Sequence, residues 1–199
     1  MQPTVPQPPQ PGPVPDTVYV VFSAEINVNT TESLMATMAN LVNRGVQTVY
    51  LALSTPGGQV DAGITLYNLL RSLPVKLITH STGNVDSIGN AIFLAGSTRY
   101  ACPAATFMFH GVGFDLINQT VRLEEKLLRE RLATILVQHG RIGSIIEERT
   151  RIKKADIRKL FREAQTKDAA FAVGAGIIDE IREFQIPPGG PVISLVFQR

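Results

Sequence analysis

Residues 46–79, VQTVYLALSTPGGQVDAGITLYNLLRSLPVKLIT, decide the fold class of this chain. The segment Val46–Leu53 is rich in β-branched and aromatic residues, which favour a buried strand, and a Pro-Gly-Gly turn at 56–58 ends it. Apolar residues then recur at helical spacing until Pro74, which cannot continue a helix. Val75–Thr79 predicts another buried strand. Because parallel strands are joined by crossover helices, this stretch predicts an α/β fold with a largely parallel sheet flanked by helices.

The alternation of strands and helices continues on both sides of this stretch. Before it, the chain predicts a strand at Val18–Phe22 and a helix that begins near Thr31. The other predicted elements are a polar loop at 80–86, an apolar helix from Ser87 to about Gly96, a strand at Phe107–His110, a long amphipathic helix over Asn118–His139, a solvated helical face within Arg149–Arg162, a short helix after Asp168, and strands at Ile177–Ile178 and Val192–Phe197. Gly140 is expected to end the long helix, so that His139 lies in its last turn, where the helix dipole favours a positive charge.

The ends of the chain differ in composition from the middle. Seven of the thirteen prolines fall within residues 1–15, and proline fixes φ and donates no backbone hydrogen bond. These residues are therefore predicted to form a Pro-rich flexible arm. Residues 16–182 are predicted to form one folded domain, as the length of 199 residues suggests. Residues 183–199 form a C-terminal extension whose apolar strand needs a partner edge.

Composition excludes several classes of protein. The net charge of +2 comes from nineteen basic and seventeen acidic residues, so it does not argue for a nucleic-acid partner. Cys102 is the only cysteine, which rules out an intrachain disulfide and a cysteine-based metal cage. The apolar runs are far shorter than the roughly 20 residues that cross a bilayer, and the N-terminus lacks the pattern of a secretory signal. We therefore expect a cytoplasmic protein with no metal, no cofactor and no membrane partner.

Two glycine-bearing turns precede predicted helices and suggest chemistry. The first is STPGG at 54–58, and the second is GNVDSIG at 83–89, where Ser87 lies at the start of an apolar helix. A helix N-terminus has positive potential and free N–H groups, which favour the oxyanion that forms when a serine attacks a carbonyl. The pattern predicts an acyl-transfer site with Ser87 as nucleophile and the amides of Gly58 and Ile88 as the oxyanion hole. The structural alternative is a serine that only caps its helix.

A nucleophilic serine needs a base, and the chain has three histidines. His80 lies at the end of a predicted strand, and His139 is explained by its place at a helix end. His110 ends the apolar strand FMFH, at the kind of strand terminus where parallel sheets place their sites. It is the best candidate for the general base, although the residues alone are equally compatible with a structural histidine.

The three motifs STPGG at 54–58, GNVDSIG at 83–89 and FMFH at 107–110, in this order, resemble the proteolytic subunit of the ATP-dependent Clp protease. The resemblance extends from about Val18 to Asp179. It implies a Clp protease–crotonase type fold of repeated β-β-α units with a long handle-like helix. It also implies a serine endopeptidase that cleaves peptides or unfolded proteins through an acyl-enzyme on Ser87, with His110 as base and Gly58 and Ile88 as the oxyanion hole.

The resemblance further implies a ring-shaped homo-oligomer, with a separate ATP-dependent unfoldase or a paralogous subunit as candidate partners. The chain departs from the family pattern at the third member of the catalytic triad. The family aspartate position falls on Ala164, with Glu163 beside it and Asp168 one turn later, where Asp168 is expected to cap a helix. Asp86 beside the nucleophile is also unusual, because a carboxylate there could oppose the oxyanion.

These departures keep other functions open. One is a catalytically weakened or inactive Clp-like subunit that acts as scaffold or regulator of an active paralogue. Another is an acyl-CoA enzyme of the crotonase type, which explains Gly58 but gives Ser87 and His110 no role. In every case we expect a multimer, because the long helix and the C-terminal strand offer more apolar surface than one small domain covers.

Overall fold

The computed structural model describes residues 14–114, 122 and 124–197 of the chain. The Pro-rich arm predicted at 1–15 lies outside the described residues except for Val14 and Pro15. Most of the predicted start of the long helix at 118–124 also lies outside them. Within the described part of the chain, no helix is both long enough and apolar enough to cross a membrane.

Strands and helices alternate through the first half of the chain, as predicted. The strands are β1 (Thr17–Ser23), β2 (Thr48–Thr55), β3 (Lys76–Asp86), β4 (Thr98–Ala101), β5 (Thr106–Met108), β6 (Thr166–Asp168), β7 (Glu180–Ile181) and β8 (Val192–Val196). The helices are α1 (Val28–Asn43), α2 (Val60–Ser72), α3 (Gly89–Phe93), α4 (Glu125–Arg149), α5 (Lys154–Glu163) and α6 (Ala169–Gly174).

The sheet is largely parallel, which confirms the predicted α/β fold class. Its strand order is β6-β5-β3-β2-β1-β8, with β4 pairing both β3 and β7, and the β5–β6 pair is the antiparallel one. Helices cover the sheet with side chains such as Leu34, Met38 and Leu41 of α1, which are fully buried. Burying side chains of this size contributes about 1.5–3 kcal/mol each to folding.

Strand β3 is the element that positions the candidate site. Its first half pairs with β4, from Ile78 with Thr98 onward, and its second half pairs with β5, from Asn84 with Thr106 onward. The segment 80–86, predicted as a polar loop, is therefore strand, since its backbone groups are taken up by two successive neighbours. The C-terminal end of β3 thus leads directly to Ser87, next to the end of β5.

The predicted stop of the long helix at Gly140 is wrong. Helix α4 continues to Arg149, and Ile142, Ile145 and Ile146 of the added turns are buried. A helical glycine costs about 1 kcal/mol relative to alanine, which the burial of three isoleucines outweighs. His139 therefore lies in the middle of the helix, where the helix dipole gives no reason for a positive charge.

Near the C-terminus, one predicted element is confirmed, one is wrong and one gains a partner. Asp168 caps α6 by accepting the N–H of Phe171 at 2.8 Å. Ile177–Ile178 is not a strand: both residues are buried in the core, and the strand β7 follows at Glu180–Ile181. The apolar strand expected at Val192–Phe197 is β8, and it pairs in parallel with β1, so that edge is covered within the chain.

Candidate active site

Ser87 occupies a sharp turn between β3 and α3. Its φ is +56°, a left-handed conformation that residues other than glycine rarely adopt, and such strain clusters at functional sites. The N-cap of α3 is Ile88, so Ser87 is not the ordinary helix cap that the structural alternative proposed. Other hydrolases use a strained strand-to-helix turn of this kind to expose a nucleophilic serine.

The buried amide of Asn90 ties this turn to β5. The side-chain NH₂ of Asn90 donates to the carbonyl of Ser87 at 3.1 Å and to that of Met108 at 2.8 Å. The Ser87 N–H donates to the same Met108 carbonyl at 2.8 Å. The sequence analysis did not single out Asn90, although a lone amide inside the apolar helix GNAIFLAG is the signal that could have found it.

The glycine loop after β2 packs against Ser87. A Cβ on Gly57 would come within 2.6 Å of Ser87 Cβ, so only glycine fits there. Ile26 holds the loop in place, because its N–H donates to the Gly57 carbonyl and its own carbonyl accepts from Gln59, both at 2.7 Å.

The predicted oxyanion donors are the backbone N–H groups of Gly58 and Ile88. Among the described residues, neither the Gly58 N–H nor the Ile88 N–H donates to a protein acceptor. Ile88 directly follows Ser87, and Gly58 directly follows the glycine that contacts Ser87. Unpaired backbone donors near a nucleophilic serine are what a developing oxyanion requires.

His110 lies two residues beyond β5. Asp86 pairs with Met108, so the next residue, Ser87, lies beside the chain segment that carries His110. The His110 side chain is half-buried. No hydrogen bond within the described part of the chain joins the His110 ring to Ser87 Oγ. The fold therefore brings the two segments together without closing the serine–histidine contact.

A family model for the Clp protease matches residues 14–185, which is most of the chain. This chain belongs to the Clp protease family. The proteolytic subunit 1 of an ATP-dependent Clp protease from Frankia casuarinae is 27% identical over 150 residues, covering 72% of this chain and 67% of that relative. A proteolytic subunit 1 from Corynebacterium jeikeium is 28% identical over 130 residues, covering 62% of this chain and 67% of that relative. The chain thus spans about two thirds of the length of these relatives.

The fold of this Clp family member also agrees with a solved structure. A point mutant of ClpP1 from Listeria monocytogenes superposes with a TM-score of 0.74 at 22% identity, covering 84% of this chain and 92% of the other. At that identity the likeness shows the shared fold.

The carboxylates near the expected triad position are engaged elsewhere. The carboxylate of Glu163 lies 3.7 Å from the ammonium of Lys159, and the carboxylate of Asp168 caps α6. Ala164, at the expected position itself, is in a left-handed conformation at the end of α5. No carboxylate accepts a hydrogen bond from the His110 ring within the residues that the structure describes. Asp86 accepts a hydrogen bond from the Asn84 amide at 2.6 Å, which fixes that carboxylate beside the nucleophile turn.

His80 is held neutral inside the core. Its Nε2 lies 3.0 Å from the carbonyl of Arg182, which can only accept, so Nε2 carries the proton and Nδ1 accepts from the hydroxyl of Tyr50 at 2.8 Å. Burial lowers the pKa of His80 to about 4 and raises the pKa of Tyr50 to about 12. The group is a structural histidine inside β3 and does not lie at a strand end as expected from the sequence.

His139 is neutral for a similar reason. Its Nε2 accepts the N–H of Val112 at 2.8 Å, and burial lowers its pKa below the ordinary value of 6.5. The prediction from the sequence that this position carries a positive charge is therefore wrong.

Proposed function

We propose that this chain is a serine endopeptidase of the Clp type, which cleaves peptides or unfolded proteins through an acyl-enzyme on Ser87. The observation that carries the proposal is the strained Ser87 turn flanked by the unpaired N–H groups of Gly58 and Ile88. A serine used only for helix capping would need neither the positive φ nor two unoccupied donors.

The chemistry follows from this arrangement. His110 takes the proton from Ser87 Oγ as Oγ attacks the carbonyl carbon of the scissile peptide. The negative oxygen of the tetrahedral intermediate accepts hydrogen bonds from Gly58 and Ile88. The imidazolium then protonates the leaving amine, the C–N bond breaks, and an acyl-enzyme remains. Water, activated by His110, attacks the ester and releases the acid, which regenerates the Ser87 hydroxyl.

The mechanism requires His110 to reach Ser87 Oγ during the reaction. Catalytic hydrogen bonds are often open without substrate and close in the substrate complex, so the open contact is compatible with this role. Because the His110 ring has no carboxylate partner among the described residues, the pair would act as a dyad. In subtilisin, removal of the third triad member alone costs on the order of 10⁴ in kcat, so slow turnover is expected here.

The decisive experiment labels the assembled protein with a fluorophosphonate probe and locates the adduct by peptide mapping. We expect one adduct on Ser87, with labelling and peptide hydrolysis both abolished in Ser87→Ala. Ser97→Ala is the matched control, because Ser97 donates to the carbonyl of Leu77 away from the site and should leave labelling unchanged. An unlabelled Ser87 in the assembled wild type would contradict the proposal.

The second candidate function is a non-catalytic subunit that assembles with an active paralogue, which the alanine at position 164 favours. This candidate predicts that the purified chain shows no Ser87-dependent cleavage. It also predicts that the chain forms defined hetero-oligomers with the active paralogue in native mass spectrometry. Activity that is lost in Ser87→Ala would exclude it.

Assembly and partners also belong to the proposal. Leu128, Leu132 and Leu136 lie four residues apart along α4 and are more than half exposed, as in a surface that a second copy covers. We propose a ring-shaped homo-oligomer on this basis. The sequence contains no phosphate-binding Gly-x-x-x-x-Gly-Lys-Ser/Thr loop, so ATP-driven unfolding would require a separate subunit.

A further inference from the structure

The backbone just after His110 is held by two long-range hydrogen bonds. The N–H of Gly111 donates to the carbonyl of Phe161 in α5 at 3.0 Å. The N–H of Val112 donates to Nε2 of His139 in α4 at 2.8 Å. These bonds join the end of β5 to two helices that are distant in sequence, within two residues of the proposed general base.

The contact is closely packed as well as hydrogen-bonded. The His139 ring packs against the Phe161 ring in a tilted arrangement, with centroids 5.2 Å apart and ring planes at 47°. A Cβ on Gly111 would come within 3.1 Å of His139 Nε2, so the chain passes directly beside the imidazole. A side chain at Gly111 would press on the imidazole and require it to shift by a few tenths of an ångström.

This attachment occurs where a carboxylate partner for His110 is missing. In a serine–histidine–aspartate triad, the third group fixes the orientation of the imidazole. Here position 164 is alanine, and no carboxylate bonds the His110 ring in the described ranges. The orientation of His110 must then depend on how firmly its backbone is fixed.

We propose that His139 is a positioning residue for His110: by accepting the Val112 N–H, it fixes the backbone segment that presents the general base to Ser87. This inference rests on the proposed peptidase function. It assigns a role in setting the reaction rate to a half-buried histidine on α4 that makes no contact with a substrate in the mechanism above.

The interaction requires His139 to be unprotonated at Nε2. A protonated imidazole has two donors and no acceptor, so it cannot accept the Val112 N–H. Burial lowers the pKa of His139 below its ordinary value of 6.5, which agrees with a neutral ring that accepts the Val112 N–H. The charged groups that line the groove beside it are Glu147 on α4 and Lys154, Arg158 and Arg162 on α5, and His110 lies two residues before Val112 in the chain. Desolvation of the ring is what favours its neutral form.

The test compares two substitutions at one position. His139→Leu removes the acceptor, whereas the side-chain oxygen of His139→Gln can still accept from Val112 but cannot be protonated. We expect His139→Leu to lower the rate of fluorophosphonate labelling of Ser87, and kcat, at least tenfold with KM unchanged. His139→Gln should stay within about threefold of wild type. Ser144→Ala, one turn further along the same groove, is the control that should leave all three values unchanged.

The pH profile separates positioning from simple packing. As pH falls through the lowered pKa of His139, wild-type labelling should decline more steeply than that of His139→Gln, because only the wild type loses the acceptor. Equal acid profiles for wild type and His139→Gln would overturn the proposal. So would wild-type labelling rates in His139→Leu, or equal losses in both variants. If His139→Leu does not fold, the comparison of wild type with His139→Gln still decides.

Amide hydrogen exchange tests the attachment without catalysis. A peptide covering residues 107–114 should exchange faster in His139→Leu than in wild type, and at the wild-type rate in His139→Gln. Unchanged exchange in His139→Leu would overturn the positioning role. Failure of the proposed function has a different signature: wild-type Ser87 would not be labelled, whatever the exchange of Val112.

Discussion

Ser87 has a backbone conformation that costs about 1–2 kcal/mol for an L-residue, and its neighbours compensate for that cost. Its N–H donates to the Met108 carbonyl and its carbonyl accepts from Asn90, so the turn is fixed at both ends. Gly57 completes the arrangement, because its missing side chain leaves room for the serine. The strain is therefore maintained by the surrounding contacts, as expected where a turn must present a hydroxyl.

At this scale, Gly57→Ala should lower activity. Gly57 has a φ of +87°, and a Cβ there would lie 2.6 Å from Ser87 Cβ, so the serine must shift. We expect at least a tenfold loss in the labelling rate of Ser87, together with about 1–2 kcal/mol of lost unfolding free energy.

The matched control for this substitution is Gly45→Ala. Gly45 has a similar φ of +84°, but a Cβ there would meet nothing within 4 Å. It should lower stability by a similar amount and leave labelling unchanged. Equal labelling by both variants would show that the contact between Gly57 and Ser87 is not needed.

At the scale of elements, His80 connects β2, β3 and the segment after β7. Its ring bonds the Tyr50 hydroxyl on β2 and the Arg182 carbonyl beyond β7, and it is completely buried. Its pKa is lowered to about 4 from an ordinary value of 6.5, so the fold holds the neutral form. The imidazole of His80 binds a proton more readily in the unfolded chain than in the folded one. The contribution of the neutral ring to the free energy of unfolding is therefore fully present above about pH 6.5 and is lost as the pH falls towards 4.

This linkage gives a measurable pH dependence. Between pH 7 and pH 5, the wild type should lose about 2 kcal/mol of unfolding free energy through His80, as follows from its two pKa values. His80→Gln keeps a donor and an acceptor but does not titrate. Its loss of unfolding free energy between pH 7 and pH 5 should therefore be smaller than that of wild type by about 2 kcal/mol. Urea unfolding at both pH values measures the difference. Parallel pH dependence in the two proteins would contradict the assignment of a neutral buried His80.

At the scale of the whole molecule, the leucine face of α4 is an exposed apolar surface within the described residues. Leu128, Leu132 and Leu136 are 52%, 55% and 59% exposed, whereas β8 already covers the apolar edge of β1. The C-terminal strand was expected from the sequence to offer apolar surface for assembly as well; β8 pairs with β1, but it is the last strand of the described sheet order, and Val192 and Val196 are 47% and 60% exposed. We expect assembly to depend on α4, whose three leucines form a continuous exposed row.

Leu132→Glu should disrupt that assembly. A carboxylate buried at the centre of an apolar contact costs several kcal/mol unless it is paired. Light scattering and native mass spectrometry should show a shift from multimer towards monomer. Val28→Glu is the control, since Val28 has a similar exposure of 52% but lies on α1. A monomeric wild type, or a Leu132→Glu multimer of unchanged size, would contradict the prediction.

How much the sequence could predict varies with the kind of signal. Alternating apolar segments with glycine and proline between them predicted the parallel sheet, because burial of β-branched strands and amphipathic helices is a local property. The helix stop at Gly140 was predicted wrongly because glycine is only a weak breaker, and three distant packing contacts decided the matter. The Ser87, His110, Gly58 and Ile88 assignment stays a prediction.

The amino-acid sequence by itself determined the fold class, the order of the elements and the residue types that acyl transfer needs, since each depends on composition and spacing along the chain. The tertiary structure alone decided which backbone donors are unpaired, which histidines are neutral, and which helix holds the segment after His110. Those properties depend on groups that are far apart in the chain, such as His139 and Val112, and become neighbours only when the sheet and helices pack.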